Sequence, residues 1–240
     1  MVLFLIGIGL NDKKDISMKG FEIIKKCDKI YLEIYTSKIN CSVENLEKFY
    51  GRKIIAADRK LIEEGSENLL KEAESKNIAI LIIGSPLAAT THFELFMGAK
   101  KRNIKCEIIE NASIYSAIGI TGLFLYKFGR TTTIPLENKD IKSPYEIYLK
   151  NKNLGLHTLF LLDIKENKLM TAREGLDYLI KKGLDKNTIV IGCAALGSPN
   201  PEIKIDKASN LKLTKFPQSF IIPGELNFKE EEALEFWKNN

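Results

Sequence analysis

Four stretches set small residues, glycine and polar side chains directly after an apolar run. They are "GIGLND" at 7–12, "GSPLAATTH" at 84–92, "ENASIYSAIG" at 110–119 and "GCAALGSPNP" at 192–201. Glycine lets a ligand approach the backbone, and Pro86 pushes Ser85 towards an extended conformation. Thr91 and Glu94 have the T-x-x-E spacing of a capping box, which predicts a helix N-terminus there, and Asn111 or Ser113 can cap a second one. Free N–H groups at such ends receive carboxylates and other anions. An ordinary strand-to-helix turn reads the same way. Together the four loops suggest a pocket read mainly by backbone groups, which suits a nucleoside-bearing ligand. "GIGLND" lacks the third glycine of G-x-G-x-x-G, and no G-x-x-x-x-G-K-[ST] occurs, so neither a dinucleotide fingerprint nor a P-loop is present.

Other chemistry is sparse. His92 and His157 are the two histidines, and they read as a residue of a helix first turn and one at a strand edge. Cys27, Cys41, Cys106 and Cys193 make no C-x-x-C, which suggests neither a zinc site nor a disulfide framework, and no metal is expected. Tyr115 and Tyr126 read as packing residues with a wet hydroxyl. Asp163 closes the run "LFLLDI" and reads as a turn or cap carboxylate.

The elements that position these loops follow from periodicity. "VLFLIGIG", the helical "SMKGFEIIKKC" and the strand-like "KIYLEIY" form a beta-alpha-beta opening. Polar helical stretches at 42–49 and 59–77 lead to "IAILIIG", a continuous apolar run that predicts a central strand buried on both faces. "THFELFMGAKKR" reads as a helix and "IKCEIIE" as a strand, and this alternation predicts a mostly parallel sheet. From "SIYSAIGITGLFLYKFG" onward the pattern is less regular. "LHTLFLLDI", "NTIVIGCAAL" and "SFIIPG" are strands, with helices in "TAREGLDYLIKKG" and "FKEEEALEFWKN". The expected division is into α/β domains at 1–111 and 112–240.

The 240 residues, 45% hydrophobic and 28% charged, suffice for a substantial core. A net charge of +5 without long runs of one sign argues against a dedicated nucleic-acid surface. "MVLFLIGIGL" lacks a basic start and runs straight into "NDKKD", so it reads as a strand rather than a secretory signal. No uninterrupted apolar run reaches the roughly 18 residues of a membrane span. A cytoplasmic protein with no membrane partner is expected.

"LIGIGLND", "GSPLAATTH", "SIYSAIGITGLFLYKFG", "GLHTLFLLDIK" with "MTA", and "IIPGELN" occur in an order that resembles the diphthine synthases, over essentially the whole chain. That family lies in the tetrapyrrole-methylase-like class of S-adenosylmethionine methyltransferases. The resemblance implies two α/β domains with S-adenosylmethionine in the cleft between them, S-adenosylhomocysteine as product, a homodimer, and no direct nucleic-acid partner. It implies as substrate translation elongation factor 2 bearing a 3-amino-3-carboxypropyl-histidine, whose amine is methylated on the way to diphthamide. By motif, it assigns cofactor contacts to Leu10, Ser85, Ala88, Ser113, Ile114, Leu162, Leu196 and Gln218. Relatives often have histidine where Gln218 stands, and usually read G-D-P where this chain has Gly84-Ser85-Pro86. Serine offers only a neutral hydrogen bond where aspartate offers a charge-assisted one. No residue declares itself as a catalytic base. Methylation of a corrin precursor or an RNA ribose, or cofactor binding by a non-catalytic regulator, are the alternatives.

Overall fold

A computed structural model describes residues 1–89, 91–165 and 168–238; Thr90 of the second loop and position 239 of the terminal helical stretch lie outside these. The chain divides into two compact units, Met1–Ile114 and Tyr115–Asn240.

In chain order the first unit comprises β1 (Val2–Gly7), α1 (Met18–Ile24), β2 (Lys29–Glu33), α2 (Val43–Tyr50), β3 (Ile55–Ala57), a π turn at Lys60–Glu64, α3 (Ser66–Ala73), β4 (Ile78–Ile82), α4 (Phe93–Lys101) and β5 (Lys105–Ile109), then runs into α5 (Ile114–Ala117). Its five strands form a sheet in the order β3-β2-β4-β1-β5, parallel throughout. The strand period of two decides what each face buries. Ile78, Ile80 and Ile82 of β4, with Leu3 and Leu5 of β1, pack against α3 and α4 through Leu69, Leu70, Leu95 and Ala99. Ala79 and Leu81, with Ile6 and Ile8, pack on the other side against Ile24 of α1 and Leu46 and Tyr50 of α2. The continuous apolar run is thereby explained, since β4 has strands on both flanks and helices over both faces. Each fully buried isoleucine contributes roughly 1.5–3 kcal/mol.

The second unit comprises two 3-10 turns (Ile118–Thr121 and Leu125–Lys127), β6 (Thr132–Ile134), α6 (Ser143–Asn153), β7 (Thr158–Leu162), the short strands β8 (Ile164–Lys165) and β9 (Lys168–Leu169), α7 (Ala172–Lys182), β10 (Ile189–Ala194), β11 (Glu202–Lys207), β12 (Gln218–Ile222) and α8 (Phe228–Lys238). Its main sheet runs β11-β10-β12-β7-β6, antiparallel except for the β6–β7 pair. Phe160 and Phe220 are register partners and their rings stack, 4.8 Å apart at 14°, beneath Leu176 and Leu179 of α7.

The two T-x-x-E sequences part company. Thr171 and Glu174 make a full capping box at α7, each side chain bonding the other's backbone N–H. Thr91 does not cap α4: His92 takes the N-cap position, and the Thr91 hydroxyl donates to Glu63 at 2.9 Å. A carboxylate reaching in from a distant element outcompetes the local pattern.

Candidate functional site

The order β3-β2-β4-β1-β5 makes the chain step one way from β1 and the other way from β4, and it sends α1 and α4 to opposite faces. The loops leaving these two neighbouring strands therefore diverge. In open α/β sheets this switch point, at the carboxyl end of the strands, is where ligands bind. Gly9 and Gly84 bridge the two loops there, with Gly84 N donating to Gly9 O at 2.8 Å. Both have positive φ, +77° and +88°. Leu10, Ser85, Ala88 and Ser113 fall on loops at this edge, following β1, β4 and β5, and Ile114 opens α5 directly after the last of them. Leu10 Cδ2 and the Ala112 carbonyl oxygen each lie 3.9 Å from where a Cβ on Gly84 would stand, so the three loops meet. Ser85 is buried, whereas Leu10, Ala88, Ser113 and Ile114 are half-buried.

Two residues hold these loops in place: Asp15, which sequence reasoning passed over, and Asn111, which it read as a possible cap. Asp15 turns one carboxylate oxygen to the N–H groups of Leu10, Asn11 and Asp12, at 3.2, 2.7 and 3.3 Å. Asn111 donates its amide protons to the carbonyls of Gly7 and Asp15, both at 2.9 Å. The expected capping role for Asn111 is replaced by this cross-link between loops. Because Asp15 already occupies the donors of the first glycine turn, that turn is no phosphate cradle.

Glu33, closing β2 at the same edge, is fully buried, and accepts from Tyr35 N at 2.7 Å and from the Thr36 N and hydroxyl at 2.5 Å. Burial raises its pKa, only partly offset by the Thr36 and Tyr35 bonds. His92 is also buried, with its ring 6.3 Å from that of Tyr35, and burial pushes its pKa down to about 4, which leaves it neutral at pH 7. Its position suits packing better than proton transfer.

In the second unit, β7 and β10 both end, and β12 begins, at one edge of the main sheet. Ala194 is the register partner of Gln218, and Phe160 that of Phe220. Leu162, Leu196 and Gln218 are thereby gathered at this edge. Gln218 is committed to the fold: its carbonyl oxygen accepts from Ala172 N at 2.8 Å, and its amide nitrogen donates to Lys215 O at 2.9 Å and Leu213 O at 3.2 Å. Asp163 takes the turn role, accepting from Leu136 N at 3.1 Å and Ile164 N at 2.8 Å.

A buried polar cluster underlies the "YKFG" and "GELN" stretches. Glu230 of α8 is fully buried and accepts from Lys127 Nζ at 2.5 Å, His157 Nε2 at 2.9 Å, Phe124 N at 2.9 Å and Asn227 N at 3.1 Å. Gly224 N donates to His157 Nδ1 at 2.9 Å, which fixes the proton on Nε2. Burial favours the neutral acid at Glu230, yet the bonds from Lys127, Phe124, Asn227 and His157 outweigh it and hold the pKa at about 2. Burial lowers the pKa of His157 by more than Glu230 raises it. Among the described residues no group of three or more His, Cys, Asp or Glu could hold a metal ion, and no helix is long and apolar enough to cross a membrane.

The family model for Tetrapyrrole (Corrin/Porphyrin) Methylases matches residues 2–212. The chain belongs to the tetrapyrrole methylases. This methylase is 41% identical over 256 residues to the diphthine synthase of Methanocaldococcus jannaschii, covering 100% of both chains. It is 40% identical over 254 residues to that of Methanococcus aeolicus, covering 100% of this chain and 99% of that protein. The diphthine methyl ester synthase of Dictyostelium discoideum is 39% identical over 269 residues, with 99% and 98% covered. A crystal structure of a diphthine synthase superposes with a TM-score of 0.94 at 33% identity, over 100% of this chain and 96% of that one. The tetrapyrrole methylase fold with two α/β units is thus shared with solved diphthine synthases, and the chain is a methyltransferase.

Proposed function

We propose that the chain is a diphthine synthase, which methylates the amine of the 3-amino-3-carboxypropyl-histidine of translation elongation factor 2 up to the trimethylammonium. The observation that carries this reading is the end-to-end likeness, at 39–41% identity, to archaeal diphthine synthases and to the Dictyostelium methyl ester synthase. S-adenosylmethionine supplies the methyl group as a sulfonium. The switch-point edge around Leu10, Ser85, Ala88, Ser113 and Ile114 supports its binding in the first unit, with Leu162, Leu196 and Gln218 at the edge of the second. The transfer moves positive charge from sulfur to nitrogen without creating any, so alignment and exclusion of water supply most of the rate. A cytoplasmic homodimer is the form proposed.

Intact-protein mass spectrometry of elongation factor 2 carrying the aminocarboxypropyl-histidine, incubated with enzyme and S-adenosylmethionine, tests this. Three methyl steps on the modified factor and none on the unmodified one are expected. The Dictyostelium relative favours a second reading, in which the carboxylate is methylated too. A fourth methyl lost in mild base would establish that. No mass gain while cofactor still binds would sink the assigned substrate.

A further inference from the structure

Ser85 is buried at the end of β4, and the structure shows where its hydroxyl proton goes. Ser85 Oγ donates to Glu110 Oε2 and accepts the Asn111 N–H at 3.4 Å. The contact spans two strand-end loops, one after β4 and one after β5, with β1 between them in the sheet. It closes because position 7, at the end of β1, is glycine: a Cβ there would lie 2.5 Å from Gly84 O and 3.1 Å from Pro86 Cδ.

The hydroxyl is thus unable to donate to a ligand. The unused hydrogen-bonding capacity of the pair sits on the Glu110 carboxylate, and Glu110 is exposed directly after β5, on the loop that leads to Ser113 and Ile114. A carboxylate accepts and never donates when ionised, so it selects for donors. S-adenosylmethionine offers three kinds of donor to such a carboxylate: an ammonium, ribose hydroxyls and an adenine amine.

We infer that Glu110, steadied by Ser85, is a cofactor-recognition residue whose carboxylate accepts a hydrogen bond from the bound cofactor. The inference rests on the function proposed above. Ser85 is the positioning partner, since it acts by fixing one carboxylate oxygen. Glu110 has no part in the chemical step.

Calorimetry with the full chain tests this, with circular dichroism melts to establish that each variant is folded. Glu110→Gln is expected to weaken S-adenosylmethionine binding roughly tenfold, as loss of a charge-assisted bond does. It should raise KM for the cofactor and leave kcat within about twofold. Ser85→Asp alone sets two carboxylates against each other and should weaken binding comparably. Ser85→Asp combined with Glu110→Gln restores one charge and one amide, and should bring affinity back towards wild type. 5′-Methylthioadenosine, which lacks the ammonium, locates the donor. A loss on Glu110→Gln confined to S-adenosylmethionine assigns the ammonium; a loss for both ligands assigns the nucleoside. Wild-type affinity for both ligands in Glu110→Gln overturns the inference, as does a double variant no tighter than Ser85→Asp. Failure of the wild-type chain to bind S-adenosylmethionine at all would instead sink the proposed function.

Discussion

Asn111 hydrogen-bonds the Gly7 carbonyl at 2.9 Å across 104 residues of sequence, and a Cβ on Gly7 would sit 2.8 Å from the Asn111 Cβ. The glycine is required less for its own conformation than for the side chain and loop that close over it.

Gly7→Ala is therefore expected to destabilise the chain by about 1–3 kcal/mol, since the added methyl meets the Gly84 carbonyl as well as Asn111. Asn111→Asp should be worse than Asn111→Ala, because it replaces a donor with a carboxylate facing two carbonyl oxygens, those of Gly7 and Asp15. Urea unfolding midpoints of the three variants check both statements. A milder Asn111→Asp than Asn111→Ala would refute the assigned orientation of the amide.

The contrast between the two T-x-x-E sequences shows what a sequence conveys. Thr91 and Thr171 share the T-x-x-E pattern, and only the latter forms a capping box, since the Thr91 hydroxyl donates to Glu63 instead. Strands β1, β4, β7, β10 and β12 were legible because they are near-continuous apolar runs. Strand β11 escaped notice since lysine, glutamate and aspartate alternate with its isoleucines, and α6 since its buried face of Ile147, Tyr148 and Asn151 is mixed with lysines. The loops of the candidate site were visible as glycine-rich stretches after apolar runs. Their fasteners, Asp15, Asn111 and the Ser85–Glu110 pair, were not, because nothing in local composition says which distant carbonyl or hydroxyl a side chain will meet.

Acid should loosen the second unit through Glu230. Its folded pKa of about 2 lies below the ordinary 4.5, so the stabilisation is complete above about 4.5 and is lost as pH falls towards 2. The shift corresponds to on the order of 3 kcal/mol. His157 and His92 add to the loss at higher pH: both have lowered folded pKa values, so the unfolded chain takes up protons first as pH falls below about 6.5. Glu230→Gln leaves Lys127 without its buried anion and is expected to lower stability at pH 7 while flattening the limb between pH 4.5 and 2. Denaturation midpoints across pH decide it; an unchanged acid limb in the variant would remove Glu230 from the account.

Ala88 is the smallest side chain on the half-buried part of the 84–89 loop, and its N–H is already tied to Ser85 O at 3.1 Å. Ala88→Trp keeps the backbone N–H of that turn and adds bulk at the edge assigned to the cofactor. Expected are a melting temperature close to wild type and no measurable calorimetric binding of S-adenosylmethionine. Wild-type affinity in this variant would move the pocket elsewhere.

Gly175 lies in the first half of α7 over the edge that holds Leu162. Alanine there would gain about 1 kcal/mol of helix propensity. Its Cβ, however, would stand 2.8 Å from Leu162 Cδ2, 3.0 Å from Phe220 Cε1 and 3.3 Å from Ile134 Cδ1. Phe220 is fully buried against Phe160 and cannot yield, whereas Leu162 is half-buried and can turn towards the sheet edge. Gly175→Ala is therefore expected to be destabilising, and to raise KM for the cofactor if that edge receives it. Leu162→Ala by itself should cost roughly 2–3 kcal/mol, at the low end for a leucine because the site is not fully buried. The double variant should cost less than the two single changes together, because removing the leucine makes room for the new methyl. Additive unfolding free energies would show that Leu162 and the α7 glycine are not in the contact assigned to them.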